Sequence, residues 1–511
     1  MENTRTGNVL RNVSWATLLQ FILMLLQFIT RTVFIRTIGR DYLGITGFFT
    51  DIMLVIDLAN LRIPDALILC MYKPLAEKNY VKVRAIINIF GKACFFISIA
   101  IFTVGIAIIP FLSYLIKDPP NIPENFTVMY LFYLFTTIVT YFVYHRSSLI
   151  FADQKNYIVS IYQKAFHFIQ IILQIVILIF IRNFYFFILA QVVTVPLMNF
   201  MLSRKAEKMY PFIKEKNTYK LSKIEKTEII TTVKSMFIYG IGAVALVGVD
   251  SILVSSIIGI GVLGLCTNYM LIINSVKALI DQSMIGFTAS IGNLNVQSDS
   301  ETTETAFCQV NFIVFFITAF CAINLAISLS TLVSVWLDAS FILPQMVVIS
   351  LVLRFYVQGT LYTTFTFRST LGLLNKKRYI SILTAIVNIA LSIVMGKFYG
   401  VAGIFFASSI AIFFFTILPE AVLLYKEKFQ KSNIKFFISY FKYLAFMVCN
   451  YLITKFILDK MEFNGWTGFL LKAFLGAVIS GSFFIIVFFR DKYFREIYYR
   501  LLYMIKSRKA E

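Results

Sequence analysis

The chain has 511 residues, of which 59% are hydrophobic and 14% charged, and its formal net charge is +21 at neutral pH. With a mean hydropathy of +0.80, this composition excludes both a soluble globular protein and a disordered one and describes a polytopic membrane protein. The placement of the basic residues, set out below, makes that charge a matter of topology and anionic-lipid contact and excludes a nucleic-acid surface.

A membrane-crossing helix takes roughly 20 mostly apolar residues. At that window fourteen candidate spans are centred near residues 24, 56, 99, 137, 169, 192, 244, 274, 320, 356, 389, 412, 446 and 478. Unbroken apolar runs such as Phe168 to Ile181 predict helices, since the strands of a barrel would alternate apolar and polar residues. The first span, from about Val13, has no small-residue cleavage site after it and reads as a helix, not a signal peptide.

With a cytoplasmic N-terminus, the N-terminal segment, the even-numbered loops and the tail carry 30 Lys and Arg, against five on the opposite side. That asymmetry predicts that both termini are cytoplasmic. The loop near residues 292–306 departs from it, holding Asp299, Glu301 and Glu304 and no Lys or Arg.

Two echoes point to a duplicated half. Ile38-Gly39 followed by Leu43-Gly44-Ile45 recurs as Ile258-Gly259 followed by Leu263-Gly264-Leu265, an offset of 220. Arg146-Ser147-Ser148-Leu149 recurs as Arg368-Ser369-Thr370-Leu371, an offset of 222. Six is an even number of spans, so the halves repeat in parallel about a pseudo-twofold axis along the membrane normal, with a cavity between the lobes. The expected architecture is all-α: an N-terminal lobe of helices 1–6 (residues 1–202), a basic cytoplasmic linker (203–229), a C-terminal lobe of helices 7–12 (230–425), and two accessory helices with a basic tail (426–511).

Polar residues inside these spans are costly and mark function or pairing. In the first span Gln20, Gln27 and Arg31 fall on one face, while Arg36 and Arg40 lie nearer the outer surface, where snorkelling explains them. In the second, Asp51, Arg62 and Asp65 lie within about 60° of one another on an ideal helix. Arg62 and Asp65 either pair with each other or line the cavity; Asp57 points elsewhere.

The fifth span aligns Gln163, His167, Gln170 and Gln174 down one face beside Lys164, a stripe that either hydrogen-bonds a neighbouring helix or lines a cavity. The seventh holds Asp250 among glycines, and the eighth puts Asn274, Lys277 and Asp281 on one face, the last two spaced for an ion pair. In the duplicated register Asp57 corresponds to Lys277, which makes an inter-lobe ion pair a candidate gate.

Embedded basic residues number twelve and acidic ones six, a balance that favours an anionic substrate, and arginine suits phosphate in particular. No nucleophile, P-loop or carboxylate constellation is present, so no catalytic site, metal or cofactor is expected. The six cysteines lack CxxC spacing and read as packing residues.

The chain resembles polysaccharide flippases of the multidrug/oligosaccharidyl-lipid/polysaccharide exporter superfamily. The resemblance rests on Arg31-Thr-Val-Phe-Ile with Ile38-Gly39 and Tyr42-Leu43-Gly44-Ile45, on Tyr72-Lys73-Pro74-Leu75-Ala76, on Val249-Asp250-Ser251-Ile252-Leu253-Val254-Ser255, on Asn268-Tyr269 and on Ile291-Gly292-Asn293-Leu294. It implies fourteen helices in two six-helix lobes plus two, in a bacterial plasma (inner) membrane. The implied activity is alternating-access export of an undecaprenyl-diphosphate-linked oligosaccharide, such as an O-antigen or capsule repeat unit.

The implied partners are that lipid-linked oligosaccharide, membrane lipids and other polysaccharide-assembly membrane proteins. Arg31 matches the basic position late in the first helix, and Leu58-Ala-Asn-Leu-Arg-Ile-Pro-Asp65 departs from the family's neutral, glycine-containing segment. Candidate substrate contacts are thus Arg31, Arg62, Lys164, Lys277, Gln27, His167, Gln170 and Gln174, and candidate coupling or gating residues are Asp51, Asp57, Asp250 and Asp281. The alternatives are a cation-coupled multidrug exporter of the same fold and a membrane-embedded glycan polymerase or ligase.

Overall fold

A computed structural model describes the backbone of residues 5–57, 63–215, 219, 221–297, 299–373, 376, 379–496 and 498–499. Among these residues every regular element is helical. Apolar runs with no water at hand must satisfy their peptide groups internally, and a helix does so within one segment.

Helices α1 (Arg5–Thr37) and α2 (Asp41–Ile56) meet at Gly39, whose φ of +104° a side chain would oppose. There follow α3 (Ile63–Ala76), α4 (Tyr80–Ile108), the single turn α5 (Leu112–Leu115), α6 (Phe126–Ala152), α7 (Asn156–Phe180) and α8 (Phe184–Met209). Asparagines set three of the starts: Asn79, Asn125 and Asn183 accept first-turn N–H groups of α4, α6 and α8, as in Asn125 Oδ1 to the Thr127 N–H at 2.8 Å. A Ser222/Glu225 capping box opens α9 (Lys223–Leu253), which runs through a π-helical turn at Val254–Ile258 and Gly259 into α10 (Ile260–Gln297). The remaining helices are α11 (Ser300–Trp336), α12 (Gln345–Thr370), α13 (Ile380–Ile412), α14 (Leu418–Leu424), α15 (Ile434–Leu458) and α16 (Gly465–Phe488).

Eleven segments among the described residues are long and apolar enough to cross a membrane, so the chain is a multi-pass helical membrane protein. The longest, Ile380–Phe429 with 50 residues, is two helices, because Gly400 at φ +61° breaks α13. The second expected span falls on α2 and α3, on either side of residues 58–62, which lie outside the described residues. With that pair and α9 included, helices stand at all fourteen expected centres. Large apolar side chains face outward along them, among them Phe96, Phe180 and Ile486 at 67, 79 and 74% exposed, a surface suited to lipid.

By contacts the chain forms two units: a first of Leu23–Gly264 with Arg378–Ile389, and a second of Met1–Ile22, Leu265–Lys377 and Ala390–Glu511. The division falls after Gly264 and not in the basic segment 203–229, because that segment is fastened to the first unit. The nearly buried Arg84 pairs with Glu215, Lys82 reaches Glu225 at 2.7 Å, and the Tyr210 hydroxyl donates to Asp153 at 2.6 Å. The Lys82 ammonium and the Ser222 capping bonds hold the Glu225 carboxyl down to about 2, well below the usual glutamate range. Leu221 and Ile229 enter the same apolar core as Leu67, Met71, Val83 and Leu149, and α9 packs on α2 and α3.

The second unit is centred on α11, which packs against α12, α15 and α16. Its core is aromatic: Phe315 stacks on Tyr443 at 4.1 Å between centroids, with Phe312, Phe446, Phe484 and Phe488 around them. Beside this core Arg368, fully buried, bonds Glu420 of α14 at 2.7 Å and donates to the Lys376 carbonyl at 2.7 Å, tying the end of α12 to the chain that follows it. In the first unit the echoed Arg146 pairs with Glu207 near the end of α8.

A buried charge left without its counter-ion costs about 3–5 kcal/mol. Arg368→Ala should therefore lower the melting midpoint of the purified protein markedly, and Arg368→Met combined with Glu420→Leu should restore most of it. Equal midpoints for wild type and Arg368→Ala would remove the pair from the stability of the second unit.

Candidate functional site

The polar residues of the first unit lie on helices that are otherwise apolar, and most of them bond across to a neighbour. Gln27 on α1 is 3.2 Å from His167 on α7, nitrogen to nitrogen. One turn further along α7 the Gln170 carbonyl accepts from the Thr194 hydroxyl of α8 at 3.4 Å, and beyond it the buried Gln174 amide donates to the Phe187 carbonyl at 3.4 Å. The α7 stripe is thus a seam: one end fastens α1 and the other α8. Lys164 sits half-buried at the edge of that stripe.

Arg31 lies one turn beyond Gln27 on the same face of α1, half-buried. It interacts electrostatically with Tyr133 of α6, whose hydroxyl pairs with Thr50 of α2. Among the described residues no carboxylate pairs with Arg31, in contrast to Arg84, Arg146 and Arg368. Arg31 therefore offers guanidinium donors inside an apolar helix, with hydroxyls beside it.

The acidic candidates separate. Asp57, at the end of α2, accepts a hydrogen bond from the Tyr141 hydroxyl of α6. Asp51 is half-buried on α2, and Asp250 is fully buried on α9. In the second unit Lys277 and Asp281 form the one-turn ion pair that their spacing predicts, with side chains 35 and 54% exposed. Asp57 and Lys277, which correspond in the duplicated register, each hold a partner within their own unit. Arg62 lies outside the described residues, and so does the side chain of Asp65. Arg354 of α12 stacks its guanidinium over Phe405 at 5.5 Å.

The duplicated glycines meet one another. A Cβ on Gly44 would lie 2.1 Å from the Ile260 carbonyl oxygen, and a Cβ on Gly264 would lie 3.0 Å from the Gly44 nitrogen. Gly39 and Gly259, the matching residues ahead of them, both hold positive φ, +104° and +144°. The echoed motifs thus touch one another where α2 crosses the start of α10. The strand of chain after α5 reinforces the crossing: the Lys117 N–H donates to the Ser255 carbonyl at 3.3 Å, and the Ile260 N–H to the Lys117 carbonyl at 3.1 Å. Side chains add to it, the Lys117 ammonium donating to the Ile257 carbonyl at 2.9 Å and the Ser255 hydroxyl to the Leu115 carbonyl at 3.2 Å.

Sequence reading missed Tyr133, Tyr141 and Thr50 as partners, and the mutual contact of the two glycine motifs. The tyrosines carry no periodic signal in an aromatic-rich α6. The glycine contact had one: equivalent small residues at a constant offset are the residues able to approach a symmetry axis.

No family model and no curated protein matches this sequence. Solved structures do. The chain is similar to the lipid II flippase MurJ in an inward closed conformation, with a TM-score of 0.61 and 16% identity over 92% of this chain and 99% of that one. It is also similar to a variant of the MATE transporter VcmN from Vibrio cholerae, with a TM-score of 0.58 and 13% identity over 82 and 97% of the two chains. A multidrug resistance MATE family transporter of the MOP superfamily in an inward-facing conformation gives 0.58 and 12% over 77 and 94%. The fold is that shared by these transporters.

Gly44→Leu places a branched side chain where the Ile260 backbone already stands. It should abolish the protein's contribution to growth or surface assembly while membrane levels stay normal, measured by complementation and immunoblotting. Full complementation by Gly44→Leu would show that closure at this crossing is dispensable.

Proposed function

We propose that the protein is a membrane transporter, not an enzyme, that flips an undecaprenyl-diphosphate-linked oligosaccharide repeat unit from the inner to the outer leaflet of a bacterial plasma membrane, by alternating access, for surface polysaccharide assembly. The observation that carries this reading is Arg31, a half-buried guanidinium in a membrane helix with no carboxylate partner among the described residues. A charge in that position is costly unless an anion completes it, and a diphosphate is the anion that the planar guanidinium fits best.

In this reading Arg31 holds the diphosphate, and the Tyr133 and Thr50 hydroxyls supply further hydrogen bonds. Lys164, Arg62 and Lys277 are weaker candidates for the same charge. Gln27, His167, Gln170 and Gln174 position α1, α7 and α8 around the headgroup, and the polyprenyl tail stays in lipid. The crossing of Gly44 and Gly264 seals one side while the site faces the other. Asp51, Asp57, Asp250 and Asp281 are the groups available for coupling or gating. The basic face of the molecule, with both termini, lies in the cytoplasm, and the two six-helix halves act as lobes joined by segment 203–229.

A cation-coupled multidrug exporter is the rival reading on the same fold, favoured by the fully buried carboxylate of Asp250. Cells lacking the protein separate the two. Intracellular diphosphate-linked repeat units accumulating beneath a bare surface support the flippase; normal surface glycan with new drug sensitivity supports the exporter. In the same cells Arg31→Ala should reduce surface glycan at least about tenfold, the loss of one charge-assisted contact of about 1.5–3 kcal/mol, while Arg31→Lys retains part of it. Wild-type glycan with Arg31→Ala would remove Arg31 from the mechanism.

A further inference from the structure

At the basic end of the second unit, a cavity of about 670 Å³ opens between α11, the start of α15 and the segment after α16. Its floor is aromatic, including Phe436, and its rim holds Lys431, Ser432 and Lys435. Lys431 is engaged by Glu304 of α11 at 2.5 Å, so that charge is already neutralised. Lys435 has no ion-pair partner among the described residues and faces solvent.

The N-terminus of α15 adds to this positive rim. The Ile434 N–H already donates to the Ser432 hydroxyl at 3.4 Å and the Phe436 N–H to the Asn433 carbonyl at 3.0 Å, so the helix start contributes the positive end of its dipole to the rim. The mouth is apolar on one side only. Ile438 lines the cavity and is 63% exposed, and Ile434, Phe441, Val448 and Leu452 continue an exposed apolar face along α15.

We propose that this cavity binds an anionic glycerophospholipid of the leaflet at the basic face. The phosphate lies against Lys435, Ser432 and the start of α15, and the acyl chains run down the outer face of α15. A free anion would use the rim but not the stripe, and a neutral lipid the stripe but not the rim. Only an anionic amphiphile uses both. The site is separate from Arg31, and its occupancy would anchor the accessory helices to the membrane whatever the chain transports.

The test is native mass spectrometry of the full-length purified protein titrated with phosphatidylglycerol or with phosphatidylcholine. Phosphatidylglycerol should bind one site in preference, and Lys435→Ala should weaken it about fivefold, the worth of one lysine near an anionic headgroup, with phosphatidylcholine unaffected. Glu304→Gln, which releases Lys431, should strengthen phosphatidylglycerol binding, a gain that misfolding does not produce. Equal retention of the two lipids, or unchanged binding in both variants, would overturn the assignment. So would displacement of phosphatidylglycerol by inorganic phosphate, which would mark a free-anion site.

Discussion

A charged side chain within a membrane-thick apolar helix costs about 2.5–3.5 kcal/mol to insert, and this chain meets that cost in two different ways. Arg368 is closed off completely, with Glu420 and backbone carbonyls taking its donors. Arg31 is left among hydroxyls, without a carboxylate among the described residues. The first arrangement makes a fixed joint. The second leaves guanidinium donors open, as the proposed diphosphate contact requires.

The same economy governs the neutral polar residues. Gln27 with His167 and Gln170 with Thr194 spend their hydrogen-bonding capacity between helices, where lipid supplies none. This holds α1, α7 and α8 in register around Arg31. At the crossing of α2 and α10 the solution is the reverse: side chains are removed, and backbones close to within the reach of a methyl group at Gly44 and Gly264. The echoed Arg146 and Arg368 each pair with a glutamate on a later helix of their own unit.

Much of the fold was legible in the sequence, because the length and apolarity of a spanning helix are fixed by the membrane. The helix centres and the glycine echo follow from that constraint. The packing of the basic segment was not legible. A charge-rich segment such as 203–229 reads as a tether, yet Arg84 with Glu215, Lys82 with Glu225 and the apolar Leu221 and Ile229 fasten it down. Those pairings join residues far apart in the chain, which periodicity does not register. Among the candidate residues, the face shared by Gln27 and Arg31 was legible from spacing, and so was the Lys277–Asp281 pair. Which polar residues would be satisfied by a neighbouring helix, and which left open, was not, because it depends on where α6 presents Tyr133 and Tyr141.

The central claim is that the chain moves a diphosphate-linked amphiphile across a bilayer. The most direct test is reconstitution of the purified protein into liposomes carrying a fluorescent polyprenyl-diphosphate oligosaccharide, with the outer-leaflet fraction read by an impermeant quencher or a headgroup-cleaving enzyme. The account predicts protein-dependent equilibration between the leaflets that slows strongly in Arg31→Ala and does not act on the same lipid lacking its diphosphate. Equilibration no faster than in protein-free liposomes, or equally fast without the diphosphate, would contradict it.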